Sequence, residues 1–295
     1  MTISKEFIRQ LFLALTLFSI LFLASCEKDD NPFTEIVSSE AATFFNVGYG
    51  KDALQTMDIY LPVNRSRQST RVMILIHGGG WFQGNKEEMD VFLEELQRQA
   101  GNEFALVNIN YRLVNPLGPR YMLPTQMDDI ESAIDYIENH SSSLGVKPQF
   151  VTMGVSAGGH LAMLHAYKYD VKSRVQSVIN IVGPSDLTDS FYSSDPLFAL
   201  GMRYISNSKN VPDGYSATEY ASPITWVSSK SQPTISFYGE SDHLIPETQR
   251  LILQEKLDGF GVRNETYVYD SGHLFFEKLE GVVPEVVSKS LEFVR

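Results

Sequence analysis

From residue 72 to 76 the chain runs through five apolar side chains without a polar interruption and stops at His77-Gly78-Gly79-Gly80. A strand with one wet face alternates polar and apolar residues. An unbroken run ending in glycines is what a strand buried on both faces requires. Residues 104–109, 149–153, 175–182 and 233–238 read as further strands, and 265–269 as a last one. Helical patterns separate them at 87–99, 124–139, 157–169 and 247–257. In the second of these, Met127, Ile130, Ile134 and Ile137 share one face. Residues 44–48 and 55–61 read as an early hairpin. Val283, Val286, Val287, Leu291 and Val294 mark an amphipathic C-terminal helix. This alternation predicts an α/β fold with a mostly parallel central sheet flanked by helices on both faces. Such sheets carry their working residues in loops at the carboxyl ends of the strands.

Composition narrows the function classes. With 295 residues, 43% of them hydrophobic and 20% charged, the chain suits one large α/β unit and excludes a disordered, collagen-like or coiled-coil protein. The net charge of −12 argues against nucleic acid or anionic lipid as a partner, because both demand a cationic surface. A single cysteine excludes any intramolecular disulfide. No H-E-x-x-H pattern or cysteine cluster suggests a metal, and none is expected.

Lys5 and Arg9 precede an apolar run over residues 11–24. Fourteen helical residues rise about 21 Å, short of the roughly 30 Å hydrocarbon core, so the run reads as a signal-peptide segment rather than a span. It ends in Leu23-Ala24-Ser25-Cys26, which resembles the lipobox of bacterial lipoproteins. The resemblance implies cleavage after residue 25, acylation of Cys26, and residence in the cell envelope as a lipid-anchored protein. Residues 26–43 then form the acylated cysteine and a flexible polar tether, and 44–295 the main domain.

Gly154-Val155-Ser156-Ala157-Gly158 lies between a predicted strand and a predicted helix. A tight strand-to-helix turn with small neighbours lets a serine adopt a strained backbone and expose its hydroxyl as a nucleophile. A plain serine N-cap would need no glycine on either side. Upstream, three consecutive glycines after His77 are entropically costly, so a merely structural turn rarely uses them. Without Cβ atoms their N–H groups can approach a ligand. The N–H groups of Gly79, Gly80 and Ala157 are therefore candidates for an oxyanion hole. His77 reads as a loop-fixing residue, and Trp81 as either a substrate-pocket wall or simple packing.

With His-Gly-Gly-Gly-Trp at 77–81 and Gly-Val-Ser-Ala-Gly-Gly-His at 154–160, the chain resembles the esterase/lipase branch of the α/β-hydrolase superfamily. Carbohydrate-acting acetyl and feruloyl esterases of that branch are similar. The likeness extends to Asn110-Tyr111-Arg112, to a helix opened by Pro124 that holds Asp128, and to Gly239-Glu240-Ser241-Asp242 and Ser271-Gly272-His273. It implies the order nucleophile, acid, base. Of six histidines, His273 alone follows both the last strand and the candidate acid loop, so Ser156, Asp242 and His273 are the expected catalytic residues. Asp270 and Glu240 are the competing acids.

The resemblance implies an acyl-serine hydrolase of carboxylesterase type that needs no cofactor and acts on a small or carbohydrate-linked ester. A lid is expected over 184–232. There Phe191, Tyr192, Phe198, Tyr204, Tyr215, Tyr220 and Trp226 form either an aromatic substrate wall or ordinary cap packing. An arylformamidase or lipase with the same residues, or a non-catalytic glycan-binding protein on this scaffold, are the alternatives. Composition and motifs leave the oligomeric state open.

Overall fold

A computed structural model describes residues 33, 38–115, 120–194, 205, 209 and 211–295. The leader, Cys26, most of the tether, Phe198 and Tyr204 lie outside the described residues. The fold below is that of the unit Ile36–Arg295.

Among the described residues eight strands make one sheet: β1 (Ala42–Gly48), β2 (Thr56–Leu61), β3 (Arg71–Ile76), β4 (Phe104–Ile109), β5 (Phe150–Val155), β6 (Val175–Ile181), β7 (Thr234–Gly239) and β8 (Asn264–Tyr269). Their spatial order is β1-β2-β4-β3-β5-β6-β7-β8. Strand β2 pairs antiparallel with both its neighbours, β1 and β4; β4, β3, β5, β6, β7 and β8 pair in parallel. In β4 and β5 every residue is buried. Neither face of these strands meets water, which is why they read as apolar runs.

Helices connect the strands: α1 (Asp90–Ala100), α2 (Thr125–Leu144), α3 (Ala157–Leu164) and α6 (Glu247–Gly259), with α8 (Val282–Val294) closing the chain. Phe92 and Leu96 of α1 and Val286, Val287 and Leu291 of α8 pack with Met73, Leu75, Met153, Ile179 and Phe237 on one sheet face. Fully burying side chains of this kind contributes roughly 1.5–3 kcal/mol each. Successive strand residues face opposite sides. Asn180, between Ile179 and Ile181, therefore meets the other layer, where α3 packs closely enough that a Cβ on Gly159 would stand 2.5 Å from the Asn180 Oδ1.

Several boundaries differ from the sequence expectation. Helix α2 runs on to Leu144 because that residue is fully buried and Gly145 closes the helix in the left-handed region. The helix after Ser156 is α-helical only to Leu164 and widens into a π turn over His165–Tyr169. Residues 184–232 include short helices α4 (Ser190–Ser194) and α5 (Ala217–Ala221), followed by a 3-10 turn at Pro223–Trp226. A short helix α7 (Phe275–Lys278) was not anticipated; it buries Phe275 and Phe276.

Candidate active site

Ser156 sits where β5 turns into α3, with φ 53° and ψ −117°. A positive φ at a residue bearing a Cβ costs on the order of 1–3 kcal/mol and persists only where its surroundings impose it. Its N–H donates to the Ile181 carbonyl at 2.7 Å. Although Ser156 holds the N-cap position, its side chain caps nothing. The turn presses against β3 so closely that a Cβ on Gly158 would lie 2.1 Å from the Ile76 carbonyl oxygen.

The Ser156 Oγ stands 2.9 Å from the His273 Nε2, and the His273 Nδ1 stands 2.7 Å from the Asp242 Oδ2. The other Asp242 oxygen accepts from the N–H groups of Leu244 (2.8 Å) and Ile245 (2.9 Å). Asp242 is buried and aimed from two sides. With Nδ1–H donated to the carboxylate, Nε2 offers its lone pair to the serine hydroxyl and can accept its proton. The loops after β7 and β8 meet because Gly239 has no side chain: a Cβ there would lie 2.3 Å from the Gly272 carbonyl oxygen. Asp270 and Glu240 are exposed and make no hydrogen bond to His273.

Gly79, Gly80 and Trp81 take φ values of 90°, 59° and 70°. The N–H groups of Gly79 and Gly80 donate to no described residue, and Ala157, as the first residue of α3, has no acceptor within its helix. Gly78 lies beside the Ser156 turn, its Cβ position 3.5 Å from the Ser156 Cβ. The Tyr111 hydroxyl contacts the carbonyl oxygens of His77 (3.2 Å) and Gly78 (3.0 Å), and its ring stacks on His77 at 4.2 Å. The His77 Nδ1 donates to the Gly78 carbonyl at 3.0 Å. Burial pushes the His77 pKa down to about 4, so the ring is neutral and holds the loop.

Ser156 and His273 open onto a cavity of about 660 Å³, also lined by Gly79, Trp81, Phe82, Tyr192 and Phe276. Trp81 is both wall and packing: it lines the cavity while its indole N–H donates to the His160 Nδ1 at 3.1 Å. Of the described aromatics expected as a substrate wall, Tyr192 alone is placed there. Phe191 packs on Tyr192 with ring centroids 5.4 Å apart. Tyr215, Tyr220 and Trp226 follow the other alternative, packing within the cap segment and not lining the cavity. They cluster on one another at 5.3–5.9 Å, and Tyr220 and Trp226 hold Lys168, whose Nζ lies 2.8 Å from the Tyr220 ring centroid and 4.0 Å from that of Trp226. Helix α5 carries Tyr220 and the following turn carries Trp226, both set against Lys168 of the π turn that continues α3. Burial lowers the Lys168 pKa to about 7.

Two further residues escaped sequence reasoning. Asp129, fully buried, accepts from the Arg112 N–H (2.7 Å), the Arg112 Nε (2.8 Å) and the Gln55 Nε2 (2.8 Å), while Asp128 is exposed. The loop it anchors supports the glycine turn, since the Val114 N–H donates to the Trp81 carbonyl at 2.9 Å. His160 is completely buried, with both ring nitrogens engaged. Among the described residues no group of three or more His, Cys, Asp or Glu side chains converges on a metal position.

Comparison with known proteins agrees with this architecture. The chain is 25% identical to the esterase LipQ of Mycobacterium tuberculosis over 75% of its own length, and it spans about half, 53%, of that protein. It superimposes with a TM-score of 0.70 and 20% identity on a truncated carbohydrate esterase from gut microbiota, covering 88% of this chain and 97% of the other. A bifunctional GH43-CE protein of Bacteroides eggerthii gives 0.71 at 25% identity, covering 88% of this chain and 38% of that one. The sheet order, the helices on both faces and these likenesses make this the α/β-hydrolase fold. The BD-FAE family matches residues 57–257, a stretch that holds the glycine turn, the Ser156 elbow and Asp242 and makes up well over half of the protein. On that coverage the chain belongs to the BD-FAE family.

Proposed function

We propose that the protein is a serine carboxylic-ester hydrolase working through an acyl-serine intermediate. The observation that carries this is the linear contact Asp242–His273–Ser156 beside unpaired N–H groups. In this reading His273 removes the Ser156 proton as Oγ attacks the ester carbonyl carbon. The C=O electron pair moves onto oxygen, and the resulting oxyanion takes hydrogen bonds from the N–H groups of Gly79, Gly80 and Ala157. The tetrahedral carbon expels the alcohol, which leaves with the proton held by His273. Water, activated by the same imidazole, then attacks the acyl-serine. The carboxylic acid departs and Oγ recovers its proton. Asp242 holds the imidazole in one tautomer and stabilises the imidazolium.

The substrate is a small or carbohydrate-linked ester. The walls of Trp81, Phe82 and Phe276 suit an apolar acyl or aryl group, and a carbohydrate esterase is among the proteins of like fold. Anchoring through an acylated Cys26 in a bacterial envelope is part of the same proposal, supported by the lipobox-like sequence. The test is Ser156→Ala. It should lose on the order of 10⁶ in kcat toward p-nitrophenyl acetate and all labelling by a fluorophosphonate probe. Wild-type turnover by that variant would overturn the mechanism.

A further inference from the structure

We infer that His160 is a positioning residue for the oxyanion turn, bracing it against both the nucleophile helix and the cap segment. The inference rests on the acyl-serine reading of the site.

Trp81 directly follows Gly79 and Gly80, which line the cavity with unpaired N–H groups, and its φ of 70° is one that a bulky side chain resists. Something must therefore hold it. Its backbone is tied by Val114, and its ring by His160, T-shaped at 5.2 Å with the indole N–H donated to Nδ1. His160 lies four residues beyond Ser156, one turn along α3, so this bond links the oxyanion turn to the helix that carries the nucleophile. The second ring nitrogen reaches the other way: the Nε2–H donates to the Ala221 carbonyl at 2.8 Å, in α5 of the cap segment. That donation leaves Nδ1 without a proton, which is the state that accepts from Trp81. Burial pushes the His160 pKa down to about 4, and protonation at Nδ1 would set one N–H against another. Three chain segments distant in sequence thus share one neutral ring.

A side chain that merely fills space would tolerate either amide replacement alike; a brace would not. In His160→Asn the amide oxygen takes the place of Nδ1 and keeps the Trp81 bond. In His160→Gln the amide reaches the Nε2 position and keeps only the Ala221 bond. Trp81→Phe deletes the indole donor from the opposite side and leaves His160 in place.

The experiment compares wild type and the three variants with p-nitrophenyl acetate and with an alkyl trifluoromethyl ketone, which forms a serine adduct bearing an oxyanion. His160→Gln and Trp81→Phe should lose about 10–100-fold in kcat, less than the 10²–10³ for deleting a whole oxyanion donor. KM in His160→Gln should stay within about threefold, and its ketone Ki should rise by the same factor as kcat/KM falls. His160→Asn should remain within about threefold of wild type. Equal losses in the two His160 variants would overturn the brace. So would unchanged kcat and Ki in both His160→Gln and Trp81→Phe, or a loss that vanishes on cooling to where the variants are fully folded. A wild-type protein that neither turns over ester nor takes the fluorophosphonate label would instead remove the acyl-serine reading and the brace with it.

Discussion

Asp242 and His273 meet through one carboxylate oxygen at 2.7 Å while the other oxygen is held by two backbone amides. The carboxylate cannot rotate away without breaking all three bonds, so the imidazole it orients is fixed. Asp242→Asn keeps the size but presents an amide, favouring the wrong imidazole tautomer. The expected loss in kcat is on the order of 10³–10⁴. Asp270→Asn, an exposed position, should stay within about twofold. Steady-state ester hydrolysis by the two variants checks both, and comparable losses would assign the acid wrongly.

The meeting of the two loops depends on Gly239, where a Cβ would press on two carbonyl oxygens, those of Gly272 at 2.3 Å and Ser271 at 2.6 Å. Gly239→Ala must push the His273 loop outward. Overpacking of this kind typically costs about 1–3 kcal/mol. The displaced imidazole should lower kcat by at least about 100-fold, since a misplacement near 1 Å can cost that much. Urea unfolding and ester turnover measure the two effects separately. A variant with wild-type values for both would show that the loops have room to spare.

Much of this arrangement was legible in the residues, for identifiable reasons. Strands buried on both faces leave unbroken apolar runs, and the strained turn at Ser156 announces itself through the glycines around it. The linear order of Ser156, Asp242 and His273 follows the strand ends. Direction was not legible. Tyr215, Tyr220 and Trp226 have the composition of a substrate wall, but nothing local states which side of the sheet their segment covers. The same holds for Asp128 and Asp129: adjacent helix positions differ by about 100° around the axis. One faces water and the other a partly buried arginine, a choice made by Arg112 and Gln55 from outside the helix. His160 stayed hidden because its partners, Trp81 and Ala221, are remote in sequence.

That difference between neighbours is measurable. Asp129→Ala leaves the buried Gln55 amide and the partly exposed Arg112 guanidinium without their acceptor, and an orphaned donor of this kind costs about 1–3 kcal/mol. Asp128→Ala, on the exposed side, should change stability by no more than about 0.5 kcal/mol. Chemical denaturation of both variants distinguishes them, and equal midpoints would mean that the Arg112 contact contributes nothing to the fold.

Acid should weaken the protein through two buried rings. His77 and His160 are each lowered to about 4, mainly by burial, whereas an unfolded histidine titrates near 6.5. Between those values the unfolded chain binds more protons than the native one, so stability rises with pH across the window and is lost as pH falls from 6.5 toward 4. Above 6.5 both states are neutral at these rings and the slope they cause disappears. At pH 4.5 each ring should withdraw roughly 2 kcal/mol relative to pH 7. Urea unfolding of wild type and His160→Asn at pH 4.5, 5.5 and 7 isolates the His160 share, because the variant has no ring to protonate. Its stability should fall less steeply, by about that amount, over the same interval. An identical pH dependence in the two proteins would mean that the His160 ring accepts a proton in the native state as easily as in the unfolded chain, which its bonds to Trp81 and Ala221 forbid.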